Sequence, residues 1–474
     1  MNWSQSPRTR EDDRLVGRSQ REQTPRRSLG LVAERPASYD SVARLLWQGE
    51  RRVPALLPIR YQRMLANPLS FYRGAALLMA DDLARAPSTS LEVQICGDAH
   101  VANFGIFSSP ERRLVFDVND FDETAPGPFE WDLKRFVTSL VIASQHLGQS
   151  APRQEAIARD AAAEYQRSML LFSRQSPLDV WYATLDIDSL AQDLRGFFVE
   201  SSVRDIKQVL HRAKKNESRH AFEEMTTDSQ AGLRIRPRPP RVVPLRDVAG
   251  DSSTTSAMVE QVLQRYGATL SNDRRALLAQ FTPVDVARQV VGIGSVGTEC
   301  YIVLLASRDR ANPFFLQVKE AHSSVVSIAR GTDSLLAPGE RVVHGQKLMQ
   351  AHSDVFLGWH TSQVEGVERS FYVRQLYDHK AAVDIERLDE EHLGAYGRVC
   401  AWVLARAHAR FGHADQISGY LGKSEKFADT MATFALGYRD RNLSDYQALQ
   451  RAEVQGRVPV ARDDDGHVRP GAPH

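Results

Sequence analysis

The sequence predicts an α+β protein in two lobes, a small β-rich one and a larger, mainly helical one. Three observations carry that expectation. Apolar residues recur at three- and four-residue spacing through much of 39–233 and again through 381–456, which is helical periodicity. Two runs, RQVVGIGSVGTECYIVLLA and NPFFLQVKEA, are instead rich in β-branched and aromatic residues and punctuated by Gly, Asn and Pro, as strands are. Between these regions lies RIRPRPPRVVPLRDVAGDSSTTS (234–256), whose prolines and polar residues read as a linker. The β-rich lobe is then 257–380, and 381–456 supplies helices that complete the larger lobe.

Residues 1–38, rich in Arg, Ser, Gln and Pro, are expected to be a disordered basic segment, and 457–474 a disordered tail. SVARLLW and FYRGAALLMADDLA are expected helices; LEVQI, FGIF and RLVFDV are expected strands, the last two joined by the turn-prone SSPE. In EWDLKRFVTSLVIASQHLG, Leu133, Phe136, Val137, Leu140 and Val141 share one helix face. Beyond the linker the pattern predicts a helix at about 257–279, the two β runs, a helix over GERVVHGQKLMQAH and a strand over RSFYVRQLYD. Helices then cover HLGAYGRVCAWVLARAHARF and most of 424–451.

Sixty Lys and Arg against 59 Asp and Glu in 474 residues leave a net charge of +1, so no global field recruits nucleic acid or an acidic membrane surface. RIRPRPPRVVPLR lacks interleaved aromatics and reads as a basic linker rather than a nucleic-acid site. Cys96, Cys300 and Cys400 stand far apart, which argues against a disulfide framework or a zinc site and for a reducing compartment. The N-terminus has no apolar h-region, and no run approaches the roughly 18 apolar residues of a membrane helix. The expected location is the cytoplasm, with no membrane partner.

GIGSVG places glycines at Gly292, Gly294 and Gly297. In a dinucleotide-binding fold a helix would follow the third glycine, but TECYIVLL follows, so the segment reads as a glycine turn between two strands. A glycine-rich flap of that kind covers nucleotide phosphates, with a lysine on the next strand pairing with them. Lys319 in FFLQVKEA is that lysine, and an ammonium inside an apolar strand needs a carboxylate. Glu340 in PGERVVHGQ is the first candidate, ahead of Glu320. The bland alternative is an ordinary hairpin with Lys319 snorkelling at a strand end.

In QICGDAHVANFG, Asp98 and Asn103 are five apart, the spacing of a catalytic Asp and a metal-binding Asn in phosphoryl-transfer loops. Asp98 would orient or deprotonate an acceptor hydroxyl, and the Asn103 oxygen would help hold magnesium. A harder ligand must come from another loop, because Mg²⁺ prefers oxygen and usually takes one or two carboxylates. NDFDE supplies Asp120 and Asp122, with Asp117 close by. Interleaved Phe116, Val118 and Phe121 make this run partly buried rather than a solvated charge cluster. His100 is either an orienting residue or a hydrogen-bonded core histidine. A metal site serving hydrolysis is the competing chemistry, against which the glycine hairpin and Lys319 argue.

GDAHVAN, DFDE and EWDL together resemble the aminoglycoside-phosphotransferase-like branch of the protein-kinase-like superfamily, whose pattern is HGDxHxxN, a DF-containing metal loop and a DLA-type helix start. Asp120 stands twelve residues before Asp132, about that branch's spacing between its metal Asp and this helix, which puts the metal on Asp120 first. The wider run FYRGAA, CGDAHVANFG, NDFDETAPGPFEWDLKR, GIGSVGTECY, LQVKEA and YLGKS is similar to the bacterial family listed as domain of unknown function 2252, over about residues 40–450. Cys96 stands where the kinase-like pattern has His, which removes one hydrogen-bonding group from the loop's support. The glycine loop and lysine follow the catalytic loop instead of preceding it, so the resemblance implies a circularly permuted kinase-like fold. RSFYVRQLYD would be its hinge, and HLGAYGRVCAWVLARAHA the helix that ordinarily leads into the catalytic loop. A conventional order would need that loop at GHADQISGYLG, where His413 and Asp415 fit but Tyr420 stands in place of Asn and no metal loop follows.

The resulting expectation is an ATP- and Mg²⁺-dependent phosphotransferase acting on an unidentified hydroxyl acceptor, a small molecule ahead of a protein. Gly292, Gly294, Gly297, Lys319 and Glu340 would bind the nucleotide; Asn103, Asp120 and Asp122 the metal; Asp98, Asn103 and His100 form the catalytic loop. The alternative is a nucleotide-binding pseudokinase or scaffold. Arg60, Arg63 and Arg73 either line an anionic acceptor site or are helix-surface charges.

Overall fold

The computed structural model describes residues 8–189, 204, 206–207, 210, 225–229, 232–247, 252–290, 297–307, 313–364, 366–376 and 381–461. It is an α+β fold. The first described element, α1 (Arg10–Gln23), corrects the disordered segment expected there. Its start is fixed by a capping box between Thr9 and Asp12 and by Glu11, Asp12 and Asp13 in the first turn, where carboxylates complement the helix dipole. It docks without an apolar stripe. A Cβ on Gly17 would stand 1.9 Å from the Gln416 carbonyl oxygen, and one on Gly419 2.3 Å from that of Arg14, so paired glycines let two backbones meet.

Helices α2 (Ser41–Gly49), α3 (Leu57–Met64), α4 (Pro68–Gly74) and α5 (Ala76–Arg85) follow, as the apolar spacing predicts. Asp40 caps α2 by accepting from the Val42 and Ala43 amides. Strand β1 (Glu92–Ile95) pairs with β4 (Ala125–Pro128), and between them β2 (Phe104–Ser108) and β3 (Leu114–Val118) form the expected hairpin. Helix α6 (Phe129–His146) is buried on nearly every side, including Lys134, Thr138 and Ser139, so it is the central helix of the body rather than an amphipathic surface one. Helices α7 (Ala151–Phe172) and α8 (Pro177–Tyr182) follow it.

The next described strands are β5 (Thr226–Ser229), β6 (Gly232–Ile235) and β7 (Val242–Pro244). The last two correct the linker expected over 234–256. β7 pairs with β8 (Phe281–Gln289), and Asp285 accepts from the Ile235 amide at 2.8 Å and pairs with Arg246, so the segment is docked. Its prolines read as a linker because an edge strand tolerates them. Helices α9 (Ser252–Gly267) and α10 (Asn272–Leu278) precede β8; β9 (Cys300–Ser307) and β10 (Phe314–Ala321) follow. Then come α11 (Val325–Arg330), α12 (Pro338–Met349), β11 (Gly358–Val364), β12 (Val367–Leu376) and the short β13 (Ala381–Ala382), which joins β2. Helices α13 (Glu390–Ala409), α14 (Ala414–Leu421) and α15 (Lys426–Val454) complete the helical body.

One antiparallel sheet, ordered β11-β12-β10-β9-β8-β7, unites the flanks of the glycine run, the Lys319 strand and the 371–376 strand. Period-two alternation gives it two apolar faces: Val303, Leu305, Leu316, Val318, Phe371 and Val373 pack with Tyr266 of α9, while Ile302, Leu304 and Phe315 pack with Met225 and Ile235. No described helix is long and apolar enough to cross a membrane.

Candidate functional site

The site begins where β1 runs out. The amides of Cys96 and Gly97 donate to the two carboxylate oxygens of Asp132 at 2.8 and 2.9 Å, so the first turn of α6 holds the start of the loop. His408 Nε2 of α13 stands 3.3 Å from the same carboxylate. Gly97 adopts φ 78°, and a Cβ there would lie 2.1 Å from the Glu123 carbonyl oxygen. Only glycine lets the two carboxylate-bearing loops touch. The loop then closes on itself: the Asp98 carbonyl accepts from the His100 amide and from Asn103 Nδ2, both at 2.7 Å, and the Asn119 amide donates to the Asn103 carbonyl at 2.8 Å.

Arg135, three residues along α6 from Asp132, donates Nε to Asp98 Oδ1 at 2.7 Å and Nη2 to the Tyr72 carbonyl at 2.6 Å. Burial pushes the Asp98 carboxyl up to about 6, with the Arg135 charge pulling the other way. His100 is buried, its Nε2 3.9 Å from Asp98 Oδ2 and its Nδ1 without a hydrogen-bond partner among the described residues. Burial, with Arg73 and Arg135 adding repulsion, holds this imidazole well below its usual range, so it stays neutral.

In the second loop the Asp122 amide donates to Asp120 Oδ1 at 3.2 Å. Asp122 Oδ2 pairs with Lys319 Nζ, and Asp122 Oδ1 accepts from the Tyr372 hydroxyl at 2.8 Å. Register explains the convergence, since Lys319 and Tyr372 are directly opposed on β10 and β12 and so share a face. Burial pushes the Asp120 carboxyl up, the neighbouring Asp122 charge adding to it. Burial works on Asp122 in the same direction but is overcome by Lys319 and Tyr372, which hold it at about 2.

The expected pairing of Lys319 with Glu340 or Glu320 is therefore corrected. Glu320 points to the other face of β10, where its carboxylate accepts from the Glu299 amide at 3.1 Å and stands 3.5 Å from Arg369. Glu340 stands 3.9 Å from His344 on its own helix. It is Arg341 that α12 sends to the site, donating to the carbonyls of Asp122 and His322 at 2.8 Å and to that of Thr124. Asp117 is withdrawn into a pair with buried Arg406.

A cleft collects Asp98, Asp120, Asp122 and Glu123 with Gln48, Arg52 and Arg73. It shares Gln48, Arg52, Asp122 and Glu123 with an adjoining cavity lined also by Trp47, Arg51, Thr298 and His322. Gly297 closes against this wall: its carbonyl accepts from the Val53 amide at 2.6 Å, its φ is 95°, and a Cβ there would stand 2.9 Å from that of Arg52. Gly292 and Gly294 lie outside the described residues. Of the three arginines marked in the sequence, Arg73 lines the cleft, Arg60 is fully buried and donates to the Gly74 carbonyl and to Gln48 at 2.9 Å, and Arg63 is half-buried. Sequence reasoning missed Arg135, Arg341, Tyr372, Glu123 and Arg52. Only for Arg135 was a signal available, its three-residue offset from the recognised Asp132.

Fold and site together define an α+β protein with a carboxylate-lined cleft beside the Lys319–Asp122 pair. The chain belongs to the family of uncharacterised proteins conserved in bacteria known as domain of unknown function 2252, which matches residues 52–452. No curated protein and no solved structure matches it.

Proposed function

We propose that the protein is an ATP- and Mg²⁺-dependent phosphotransferase of circularly permuted kinase-like architecture, acting on a hydroxyl of a small molecule. The observation that carries the reading is the junction of Lys319 with Asp122 in the cleft that also receives Asp98 and Asp120. A lysine strand and two carboxylate loops brought together, with Gly297 nearby, is what phosphoryl transfer needs, because its catalysis is almost entirely positioning and charge stabilisation.

The donor set suits magnesium. Asp120 supplies a carboxylate, and Asn103 spends its Nδ2 on the Asp98 carbonyl, which leaves Oδ1 for a cation. Mg²⁺ takes only one or two protein carboxylates, leaving its other positions to phosphate and water. Asp120 and Asn103 would hold the ion, with Asp122 in support, and when bound it supplies charge neutralisation between phosphates and carboxylates.

Asp98 would position the acceptor hydroxyl and take its proton. Arg135 fixes the Asp98 carboxylate and keeps it ionised against burial. Lys319 would exchange its Asp122 partner in part for nucleotide phosphate. The test is a thermal-shift panel of nucleotides with and without Mg²⁺. A nucleotide at a hundred times its Kd should add about 2.7 kcal/mol of stability, and only with the metal present. No nucleotide-dependent shift would sink the reading.

A further inference from the structure

We propose that a second cavity, between α1 and the ends of α7 and α14, binds a small soluble compound carrying two or more adjacent phosphate groups. It measures about 320 Å³, within the range of about 300–1,000 Å³ typical of small-molecule pockets. Among the described residues it has no lining residue in common with the cleft around Asp98 and Asp120. Five cations line it, Arg14, Arg18 and Arg21 of α1, Arg174 just past α7 and Lys423 just past α14, against the carboxylate of Glu11.

The arrangement starts in the sequence of α1, where Arg10, Arg14, Arg18 and Arg21 recur at four- and three-residue spacing and so share one helix face. Like charges at that spacing destabilise a helix, and a stripe of them is ordinarily turned to water. Here both ends of the stripe are anchored to the body instead. Arg10 donates to the carbonyls of Arg174 and Gln175 at 2.9 and 2.7 Å, and Arg21 donates to that of Tyr420 at 2.8 Å and to that of Gly419. With the backbone approach at Gly17 and Gly419, these bonds bring the middle of the stripe up to cations of two other segments. Counter-charge is incomplete there. Arg14 stands 3.1 Å from Asp415 and 4.0 Å from Glu11, and Arg18 stands 3.7 Å from the same Glu11. The side chains of Arg174 and Lys423 have no hydrogen bond or ion pair among the described residues. Burial, with repulsion from Arg26 and Arg18 adding to it, lowers the Arg21 pKa, so cations already work against one another at this wall. One phosphate answers one or two such groups; cations on three segments call for charge spread over several oxygens, and guanidinium forks take phosphate oxygens bidentately. A concave wall closed by three segments suits a compact anion better than a nucleic-acid strand, which needs an extended basic groove with aromatic platforms.

The test is calorimetric titration of the full chain with tripolyphosphate, pyrophosphate and orthophosphate in EDTA, so that no magnesium bridge contributes. Tripolyphosphate is expected to bind the parent about ten-fold or more tightly than orthophosphate. The double variant Arg174→Gln/Lys423→Gln leaves the docking bonds of α1 in place and should lose about ten-fold or more of that affinity, as the removal of two charge-assisted contacts implies. Lys319→Met, on the other site, should keep it. A parent that binds neither compound, or both equally, overturns the inference, and so does tripolyphosphate affinity that survives in the double variant or is lost in a folded Lys319→Met. Occupancy should also tie α1 down. In the parent, tripolyphosphate is expected to slow tryptic cleavage within Arg10–Arg27, a readout that needs no substitution, and unchanged cleavage overturns the inference even where a variant fails to fold. A single-stranded oligonucleotide that binds as tightly as tripolyphosphate and is lost in the same double variant would put a nucleic acid in place of the small anion and overturns it as well.

Discussion

Lys319 of β10 and Asp122 of the loop after β3, 197 positions apart in sequence, form an ion pair across the cleft. Lys319 is almost wholly buried and Asp122 keeps about a quarter of its side chain exposed. Removing one member of such a pair strands the other charge, at a cost of about 3–5 kcal/mol when both are buried. Asp122→Asn and Lys319→Met are each expected near the lower figure in urea melts. The double variant should cost less than the sum of the two. Strictly additive losses would mean that the pair does not form in solution.

Asp98 sets a pH dependence whose sign follows from its environment. Burial raises its folded pKa to about 6, above the roughly 3.9 of an unfolded aspartate. Its protonated form therefore stabilises the fold; that contribution is full below about 4 and is lost as the pH rises through 6. Turnover should run the opposite way, rising through pH 6 as the base ionises. Arg135→Lys, which keeps the charge but loses the fork, should move this acid limb slightly upward, and Arg135→Met should move it further. A pH–rate profile is the measurement, and a limb unmoved in Arg135→Met would detach it from Asp98.

Asp98 and Asp120 are assigned different tasks, so their amide variants should fail differently. Asp120→Asn removes a full charge from the proposed ligand shell and should weaken Mg-ATP binding. Asp98→Asn should leave that binding near the parent's while turnover falls by about 10²–10⁴. Paired affinity and turnover measurements check this. A parent that binds Mg-ATP through Asp120 but turns over no acceptor would favour the pseudokinase or scaffold reading.

The docking of α1 is testable apart from any activity. Gly17→Val places its side chain against the Gln416 backbone, which cannot yield as a flexible side chain would. The expected result is release of the N-terminal helix, read as rapid tryptic cleavage within Arg10–Arg27 at protease levels that leave the parent intact. Equal protection in both proteins would show that the helix is held by contacts other than this backbone approach.

What was legible in the sequence is what local pattern controls. The strand carrying Lys319, the buried face of α6 and the loops bearing Asp98 and Asp120 announce themselves by periodicity, small residues and carboxylates at fixed spacing. Tertiary pairing does not. Lys319 meets Asp122 because Tyr372 lies opposite it in the register of β10 and β12, which neither strand's own sequence specifies. A carboxylate for Lys319 is expected at Glu340, yet packing of α12 turns its neighbour Arg341 toward the carboxylate loop instead. Helix α1 hid because it is held by a glycine contact and by hydrogen bonds such as Arg21 to the Tyr420 carbonyl at 2.8 Å, not by an apolar stripe.

The grip of Arg341 on the carbonyls of Asp122, Thr124 and His322 also has a mechanical side. One guanidinium rivets the carboxylate loop and the chain just beyond β10 to the same helix, and the Glu123 carboxylate, accepting from the Val325 amide at 2.7 Å, adds a second rivet nearby. Swinging the sheet away from the helical body at this point would shear several hydrogen bonds at once. Near Gly297 the bond from the Val53 amide adds a further tie between sheet and body. The Lys319 and Tyr372 bonds to Asp122 lie beside these rivets, so the carboxylate loop and the strands that face it are held as one piece.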